Sequence, residues 1–301
     1  MLEHPHVLTT IVRDDEEGLM VKDIVYGRLN LSRGLLRRMK RGGGVYLNGN
    51  RDYLTRRVAA GDTIQIVFFD EETAMEPEAI PLNIIFEDEY LLVINKPAGM
   101  AVHPTGAYQE GTLANAIAYY WAKIGLKTKV RLVHRIDKDT SGLVLVAKEP
   151  YTLHGLLQQL SRQELVREYL AIVEGKLEPT QGVITAPIGR SLDHGVKRAA
   201  KAGGKSAKTV YRVLYSTEQA SLLRARLESG RTHQIRVHFA HLGHPLVGDP
   251  LYNQAQAHIL GQALHAWRLE FIHPRTGHKH TFSCPMPATM LSVWKELKEA
   301  K

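Results

Sequence analysis

VHRIDKDTSGLVLVAK, residues 133–148, sets a polar run directly against a strongly apolar one. Thr140, Ser141 and Gly142 are turn formers, so the polar half reads as a tight loop that feeds a buried strand. A carboxylate at the mouth of such a strand has an apolar floor beneath it and a fixed backbone to aim it. Asp137 and Asp139 also have a simpler use, which is to close the turn through side chain to backbone hydrogen bonds. For the run by itself, that simpler reading is the stronger one.

Around this run the chain alternates short strands with few helices. LLVINKP (91–97) is strand-like and stops at Pro97, and LVLVAK (143–148) and YLAIVEG (169–175) read the same way. LHAWRLEFIHP (264–274) and HTFSCP (280–285) add two more. TLANAIAYYWAKIG (112–125) is helical, with Leu113, Ile117, Tyr120, Trp121 and Ile124 on one side. THQIRVHFAHLG (232–243) predicts a second helix, with Ile235, Phe239 and Leu242 aligned and Thr232 as its cap. Strands that follow one another without a helix between them argue against a doubly wound parallel sheet. The expectation is an α+β domain with a mixed, mostly antiparallel central sheet.

The first seventy or so residues read as a separate unit. Leu31 to Arg41 predicts a short helix capped by Ser32 and stopped by Gly42 to Gly44. Leu35, Leu36 and Met39 form its apolar face, and Arg33, Arg37, Arg38, Lys40 and Arg41 crowd the rest. VYLNGN (45–50) turns at Asn48-Gly49, and VAAGDTIQIVF (58–68) alternates like a strand. The acidic stretch DEETAMEPEAIP (70–81) breaks the periodicity. The expected organisation is therefore a small basic α/β domain over 1–75 and a larger domain over 76–301. The basic segment HGVKRAAKAGGKSAK (194–208) has neither period nor apolar content, and reads as a loop that stays mobile until a partner binds.

The 301 residues carry a formal charge of +8, which points to a polyanionic partner, because Lys and Arg release the counterions condensed on phosphates. The single cysteine, Cys284, excludes an intramolecular disulfide and a cysteine zinc cage, and fits a reducing compartment. The first residues lack a basic start followed by an apolar run, so no signal peptide is expected. No stretch approaches the ~18 apolar residues of a membrane span. The protein is expected in the cytoplasm, as a monomer by default.

Two further segments carry candidate chemistry. In ESGRTHQIRVHFAHLGHPLVGDPLY (228–252), Arg231 stands before a helix start and can pair with a carboxylate in bidentate fashion, or with a phosphate. In VREYLAIVEGK (166–176), Tyr169 opens a strand, either as a functional ring or as a plain core tyrosine.

Together with residues 133–148, these segments resemble the RluA family of pseudouridine synthases, over about residues 82 to 290. The family signature His-Arg-Leu-Asp-x-x-Thr-Ser-Gly stands here as His134-Arg135-Ile136-Asp137-Lys138-Asp139-Thr140-Ser141-Gly142, with Ile136 in place of leucine. NKPAGMAVHP (95–104), REYLAIVEG (167–175), GKSAKTVY (204–211), GRTHQIRVH (230–238), GHPLVGDPLY (243–252) and HAWRLEF (265–271) resemble the family in its usual order. The N-terminal unit is similar to the small RNA-binding module of small-subunit ribosomal protein four.

The resemblance implies a pseudouridine synthase fold and a structured RNA as partner, ribosomal RNA in preference to transfer RNA. The reaction breaks the bond from ribose to uracil nitrogen 1 and rejoins the base through carbon 5, with neither cofactor nor metal. It implies Asp137 as the catalytic carboxylate, either as nucleophile or as the base of an elimination, with Arg231 beside it to keep it charged. Tyr169 would stack on the target base and, as a further hypothesis, remove the carbon-5 proton. The target uridine must leave its stack. Arg135 would fill the gap, His134 would face the RNA, and Ile136 and Leu269 would pack near the base. Lys205 and the four arginines Arg33, Arg37, Arg38 and Arg41 are the expected phosphate contacts.

Three rival readings differ in class. A metal-dependent hydrolase could use His238, His241 and His244, but no carboxylate completes a known ligand spacing. Protein kinase chemistry is echoed by HRID, but without a Gly-rich loop or a downstream DFG. An RNA-binding protein with a decayed synthase domain would have lost at least one of Asp137, Tyr169 and Arg231, and all three are present.

Overall fold

The computed structural model describes residues 6–39, 43–68, 75–106, 108–191, 195–254, 259 and 261–299. Arg41 lies outside the described residues, as does most of the acidic stretch before residue 75, and of Arg38 and Met39 only the backbone is described.

Near the N-terminus, β1 (His6–Ile11), α1 (Val21–Tyr26), α2 (Arg33–Met39), β2 (Gly44–Leu47), β3 (Asn50–Asp52) and β4 (Thr63–Phe68) build a four-stranded sheet of order β1-β4-β2-β3. All of its pairings are antiparallel. β4 alternates as its sequence predicts, with Ile64, Ile66 and Phe68 buried. Asn48 and Gly49 adopt left-handed backbone, φ 51° and 82°, which is what a two-residue hairpin turn requires. Ser32 Oγ accepts a hydrogen bond from Leu35 N at 3.1 Å and caps α2. Leu35 and Leu36 face the core of this unit, while Arg33 and Arg37 stay exposed.

The rest of the chain runs β5 (Ile84–Glu87), β6 (Leu91–Lys96), α3 (Leu113–Lys123), β7 (Arg131–Leu132), β8 (Ser141–Ala147), α4 (Pro150–Ser161), β9 (Val166–Glu174) and β10 (Gln181–Ile184). There follow β11 (Ile188–Arg190), β12 (Arg198–Ala200), β13 (Thr209–Ser216), β14 (Ala220–Leu227), α5 (Gln234–His241), β15 (Leu264–Ile272), β16 (Lys279–Ser283) and α6 (Ala288–Glu299). Among the described residues the central sheet has order β10-β13-β14-β9-β15-β8-β6-β5, with β16 beside β15 and β7 beside β8. Its pairings are antiparallel apart from β8 with β15, so the sheet is mixed and mostly antiparallel, as expected.

β8 is the buried strand that the apolar run announces. Its alternate residues serve two cores, Val144 and Val146 packing with α3 residues Leu113, Ile117 and Trp121, and Leu143 and Leu145 packing with Leu156 of α4. Each such side chain contributes roughly 1.5–3 kcal/mol of hydrophobic stabilisation. Gly142, which joins this strand to the polar loop, has φ 111°. A Cβ there would lie 2.3 Å from Ala266 O. Glycine therefore lets β15 come alongside β8 at the mouth of the loop, where Gly142 pairs with Ala266.

Several expectations change. α4 and α6 add to the elements predicted from pattern. The basic segment is not an open loop: Arg198–Ala200 pairs with Ile188–Arg190, Lys205 exchanges backbone hydrogen bonds with Ile188, and Ala207 is buried against Ile188 and Val237. α5 starts later than expected. His233, in left-handed conformation at φ 57°, is its N-cap instead of Thr232, and Leu242 beyond its end is exposed. Among the described residues no helix is long and apolar enough to cross a membrane.

The N-terminal unit is joined to the larger one at α4. Tyr151 packs into the N-terminal core, and Asn30 hydrogen bonds with Gln158 through its side chain and its carbonyl.

Candidate active site

The polar loop between β7 and β8 is tied down by its neighbours. Thr140 N donates to Asp137 O at 3.1 Å. Gln262 Nε2 donates to Thr140 Oγ1 at 2.8 Å, and Ser141 Oγ pairs with His265 Nδ1 at 2.8 Å. From β6, the fully buried Lys96 donates to Pro97 O and Met100 O at 2.7 Å and to Lys138 O at 2.9 Å. Burial pulls the Lys96 pKa down to about 7, against the nearby charges of Asp139 and Asp137, which raise it. The turn is thus closed by backbone and by side chains from elsewhere. The Asp137 carboxylate is released from the turn role that the isolated sequence favours for it.

That carboxylate is partly buried and meets Arg236, whose Nη1 donates to Asp137 Oδ2 at 3.0 Å. Arg236 lies on α5, a helix with Gln234, Ile235, Val237, His238 and Phe239 all buried. A cation on such a helix needs carboxylate partners. Asp249, fully buried in GHPLVGDPLY, supplies one through Nε to Oδ2 at 2.7 Å and Nη2 to Oδ1 at 2.8 Å. Burial works against the Arg236 charge, but the hydrogen bonds to Asp249 and the charges of Asp137 and Asp249 more than reverse it, and its pKa is raised. The ring of Tyr252 covers the guanidinium, 5.2 Å from centroid to Cζ, and its hydroxyl pairs with His233 Nδ1 at 3.0 Å. His233 Nε2 stands 4.0 Å from Asp137 Oδ2. Burial lowers the His233 pKa, and Asp137 partly offsets this.

Arg231 is therefore not the partner of Asp137. It is exposed, and its Nε donates to Ser206 O at 2.9 Å. The local cause is Gln234, whose side chain turns back to accept from Arg231 N at 3.0 Å and Ser229 Oγ at 2.8 Å. This holds residues 229–231 on the rim, so the carboxylate is met by the arginine one helical turn further in.

Asp137 opens into a cleft of about 1170 Å³. Its walls include His134, Arg135, Ile136, Arg231 and the α4 residues Leu153 and Leu157, and it extends to Leu35 and Phe68 of the N-terminal unit. Arg135 is exposed there. Tyr169 is buried in the same apolar cluster as Ile136, and burial raises its pKa, with Arg167 opposing and Asp137 reinforcing the shift. Three expected residues stand elsewhere or act differently. Leu269 is core, packed with Leu143, Leu145 and Phe271, and is not part of the cleft lining. Lys205 is exposed outside the cleft lining. His134 is buried, and burial, with the Arg167 charge, lowers its pKa to about 3, so it stands in the cleft wall as a neutral ring.

The residues missed by sequence reasoning are Arg236, Asp249, Tyr252 and Lys96. Arg236 and Asp249 left a readable signal: a cation flanked by Ile235 and Val237 inside a buried helix, and an aspartate in a segment with no other acid nearby. His238 and His244 serve the fold by bonding to Thr209, Ala186 O and Glu174 O. Among the described residues no group of three or more His, Cys, Asp or Glu is placed to hold a metal ion.

Comparison with known proteins accords with this geometry. The family model described as RNA pseudouridylate synthase matches residues 90–241. An uncharacterized RNA pseudouridine synthase of Bacillus subtilis, YhcT, is 40% identical over 289 residues, covering 95% of this chain and 96% of the relative. A ribosomal large subunit pseudouridine synthase D of Nitrosomonas europaea is 41% identical over 254 residues, covering 81% of this chain and 74% of the relative. The solved structure of human RNA pseudouridylate synthase domain containing 4, at 24% identity and a TM-score of 0.60 over 72% of this chain and 93% of that one, shares the fold. The matched span includes Asp137 and Arg236, and the chain belongs to the RluA family of RNA pseudouridine synthases, which are isomerases.

Proposed function

We propose that Asp137 is the catalytic carboxylate and acts on the ribose of a uridine extruded from structured RNA. The observation that carries this reading is the 3.0 Å contact of Arg236 Nη1 with Asp137 Oδ2 at the floor of a basic cleft. A carboxylate held by a buried guanidinium is fixed in place for either route, attack on carbon 1′ or removal of a neighbouring proton. The bond from carbon 1′ to nitrogen 1 breaks, the uracil turns, a bond from carbon 1′ to carbon 5 forms, the carbon-5 proton is lost to solvent, and nitrogen 1 takes up a proton in its place. Tyr169 and Ile136 pack against the base, and Arg135, exposed on the cleft wall, fills the vacated stack.

The substrate we favour is ribosomal RNA, a reading supported by the Nitrosomonas relative, which is named as a synthase of the ribosomal large subunit. The unit over residues 1–75 acts as an RNA-gripping module like that of small-subunit ribosomal protein four, through Arg33 and Arg37 on the exposed face of α2. The enzyme works in the cytoplasm as a monomer without metal.

The test is tritium release from RNA labelled at carbon 5 of uridine. Wild-type protein should release label from unmodified ribosomal RNA, and Asp137→Ala should release none. No release by wild type from ribosomal or transfer RNA refutes the activity, and full release by Asp137→Ala refutes the assignment.

A further inference from the structure

Among the described residues four cationic side chains are buried: Lys96, Lys148, Arg167 and Arg236. Three are compensated. Lys96 has three carbonyls, Lys148 has Glu87 at 2.7 Å, and Arg236 has Asp137 and Asp249. Arg167, 7% exposed, has one long hydrogen bond, Nη2 to Ser229 O at 3.4 Å, and its Nε has no partner. No carboxylate lies within 4.0 Å of it among the described residues. Burying an unpaired guanidinium is unfavourable, and an anion in the cleft would complete it.

The surroundings say where that anion sits. Arg167 lines the cleft of Asp137 and stands two residues from Tyr169 on the same face of β9. Its guanidinium lies against the backbone at Gly230, where a Cβ would come 3.1 Å from Nη1. Glycine at 230 thus leaves this edge of the cleft clear of any side chain. The neighbouring His134 accepts from Leu145 N at 3.2 Å through Nε2. The proton of its neutral ring is therefore on Nδ1, which also has no partner. Two N–H donors on one wall, one of them cationic, both lack an acceptor.

We propose that Arg167, assisted by His134 Nδ1–H, is the seat of an RNA phosphate, the backbone phosphodiester next to the uridine held at Asp137. The inference rests on the reading of the cleft as the RNA site. A phosphate oxygen supplies the missing charge and the missing acceptor together. The contact ties the backbone of the extruded nucleotide to the strand that carries Tyr169, so the base and its phosphate are held by one rigid element.

The experiment compares wild type, Arg167→Gln and Arg167→Lys in three measurements: thermal melting of the free protein, affinity for unmodified ribosomal RNA across a salt series, and tritium release. Removal of an uncompensated buried charge should leave the melting temperature unchanged or raised. Affinity should fall about tenfold. The slope of log K against log salt should shrink by about 1 for Arg167→Gln and be restored by Arg167→Lys. An unchanged salt slope overturns the phosphate seat, whether the melting temperature falls or not. Wild-type binding without tritium release refutes the proposed chemistry, while the salt slope by itself still decides whether Arg167 seats a phosphate.

Discussion

Asp249 holds Arg236 by two hydrogen bonds, 2.7 and 2.8 Å long, and so fixes which nitrogen is left for Asp137. Asp249 thus aims the cation that holds Asp137, the carboxylate proposed to act on substrate. Asp249→Asn keeps the shape but removes a buried charge and one acceptor oxygen. Turnover should fall about 100-fold through misplacement of Arg236, with little change in KM for RNA. Single-turnover tritium release reads this directly. A rise in KM with kcat preserved would show that Asp249 serves binding instead.

The two arginines of GRTHQIRVH should separate cleanly. Arg236→Lys cannot serve Asp249 and Asp137 together, because an ammonium has no planar fork. Breaking this buried arrangement should cost about 3 kcal/mol in a urea melt and remove most turnover. Arg231→Lys, at the exposed rim, should leave stability within about 0.5 kcal/mol and weaken RNA binding only. Equal losses from the two variants would contradict the geometry.

Much of this architecture was legible in the chain. The alternating and buried strands, the Asn48-Gly49 hairpin and the Ser32 cap follow from local rules, and so does the mostly antiparallel sheet. The partner of Asp137 did not follow, because Arg231 and Arg236 share one motif and only the helix start decides which points inward. That start depends on left-handed His233 and on Gln234 folding back, neither of which local propensity announces. Leu269, in the core instead of the cleft lining, differs from its expected place for a related reason. A sequence shows that a residue belongs to a strand or loop, but not which of two buried faces receives it.

Lys96 gives the site a pH dependence. With its pKa pulled down by burial to about 7, it is an ammonium below that pH and a neutral amine above it. The amine has two N–H groups for three carbonyls and turns a lone pair to one of them, which loosens the loop that carries Asp137. Turnover should therefore decline as pH rises through about 7. Stability moves the other way: between about 7 and the ordinary value of 10.5 the unfolded chain binds this proton more tightly, so the Lys96 contribution to stability rises with pH. Lys96→Met should lower turnover and flatten the alkaline limb. A mutant that keeps the same limb would assign it to another group.

Cys284 should be inert in the folded enzyme. It is buried, its Sγ lies 3.2 Å from His265 Nε2, and burial pushes its thiol up to about 12 despite a backbone hydrogen bond from Leu143. A chromogenic disulfide reagent should titrate no thiol in native protein and one after denaturation. Rapid native labelling would mean that the β15–β16 pairing opens readily.

Arg275 joins the two units of the chain, and its loss should be felt in both. It lies between the rings of Tyr90 and Tyr151, at 5.0 and 4.9 Å, with Nε on Glu149 Oε1 at 2.7 Å and Nη1 on Val7 O at 2.9 Å. Glu149 is fully buried, and Val7 belongs to the N-terminal sheet. Arg275→Met takes the guanidinium from that buried carboxylate and leaves it the Thr152 hydroxyl and His6 at 3.6 Å, at a cost of about 3 kcal/mol in a urea melt. It also frees one edge of the N-terminal unit, whose Leu35 and Phe68 line the far end of the cleft. KM for long RNA should rise several-fold while kcat at saturation is preserved, because Asp137 and Arg236 are untouched. If KM and kcat fell together, the link would reach the chemistry through α4 rather than through RNA placement. If neither changed while stability dropped, the N-terminal unit would have no part in holding the substrate.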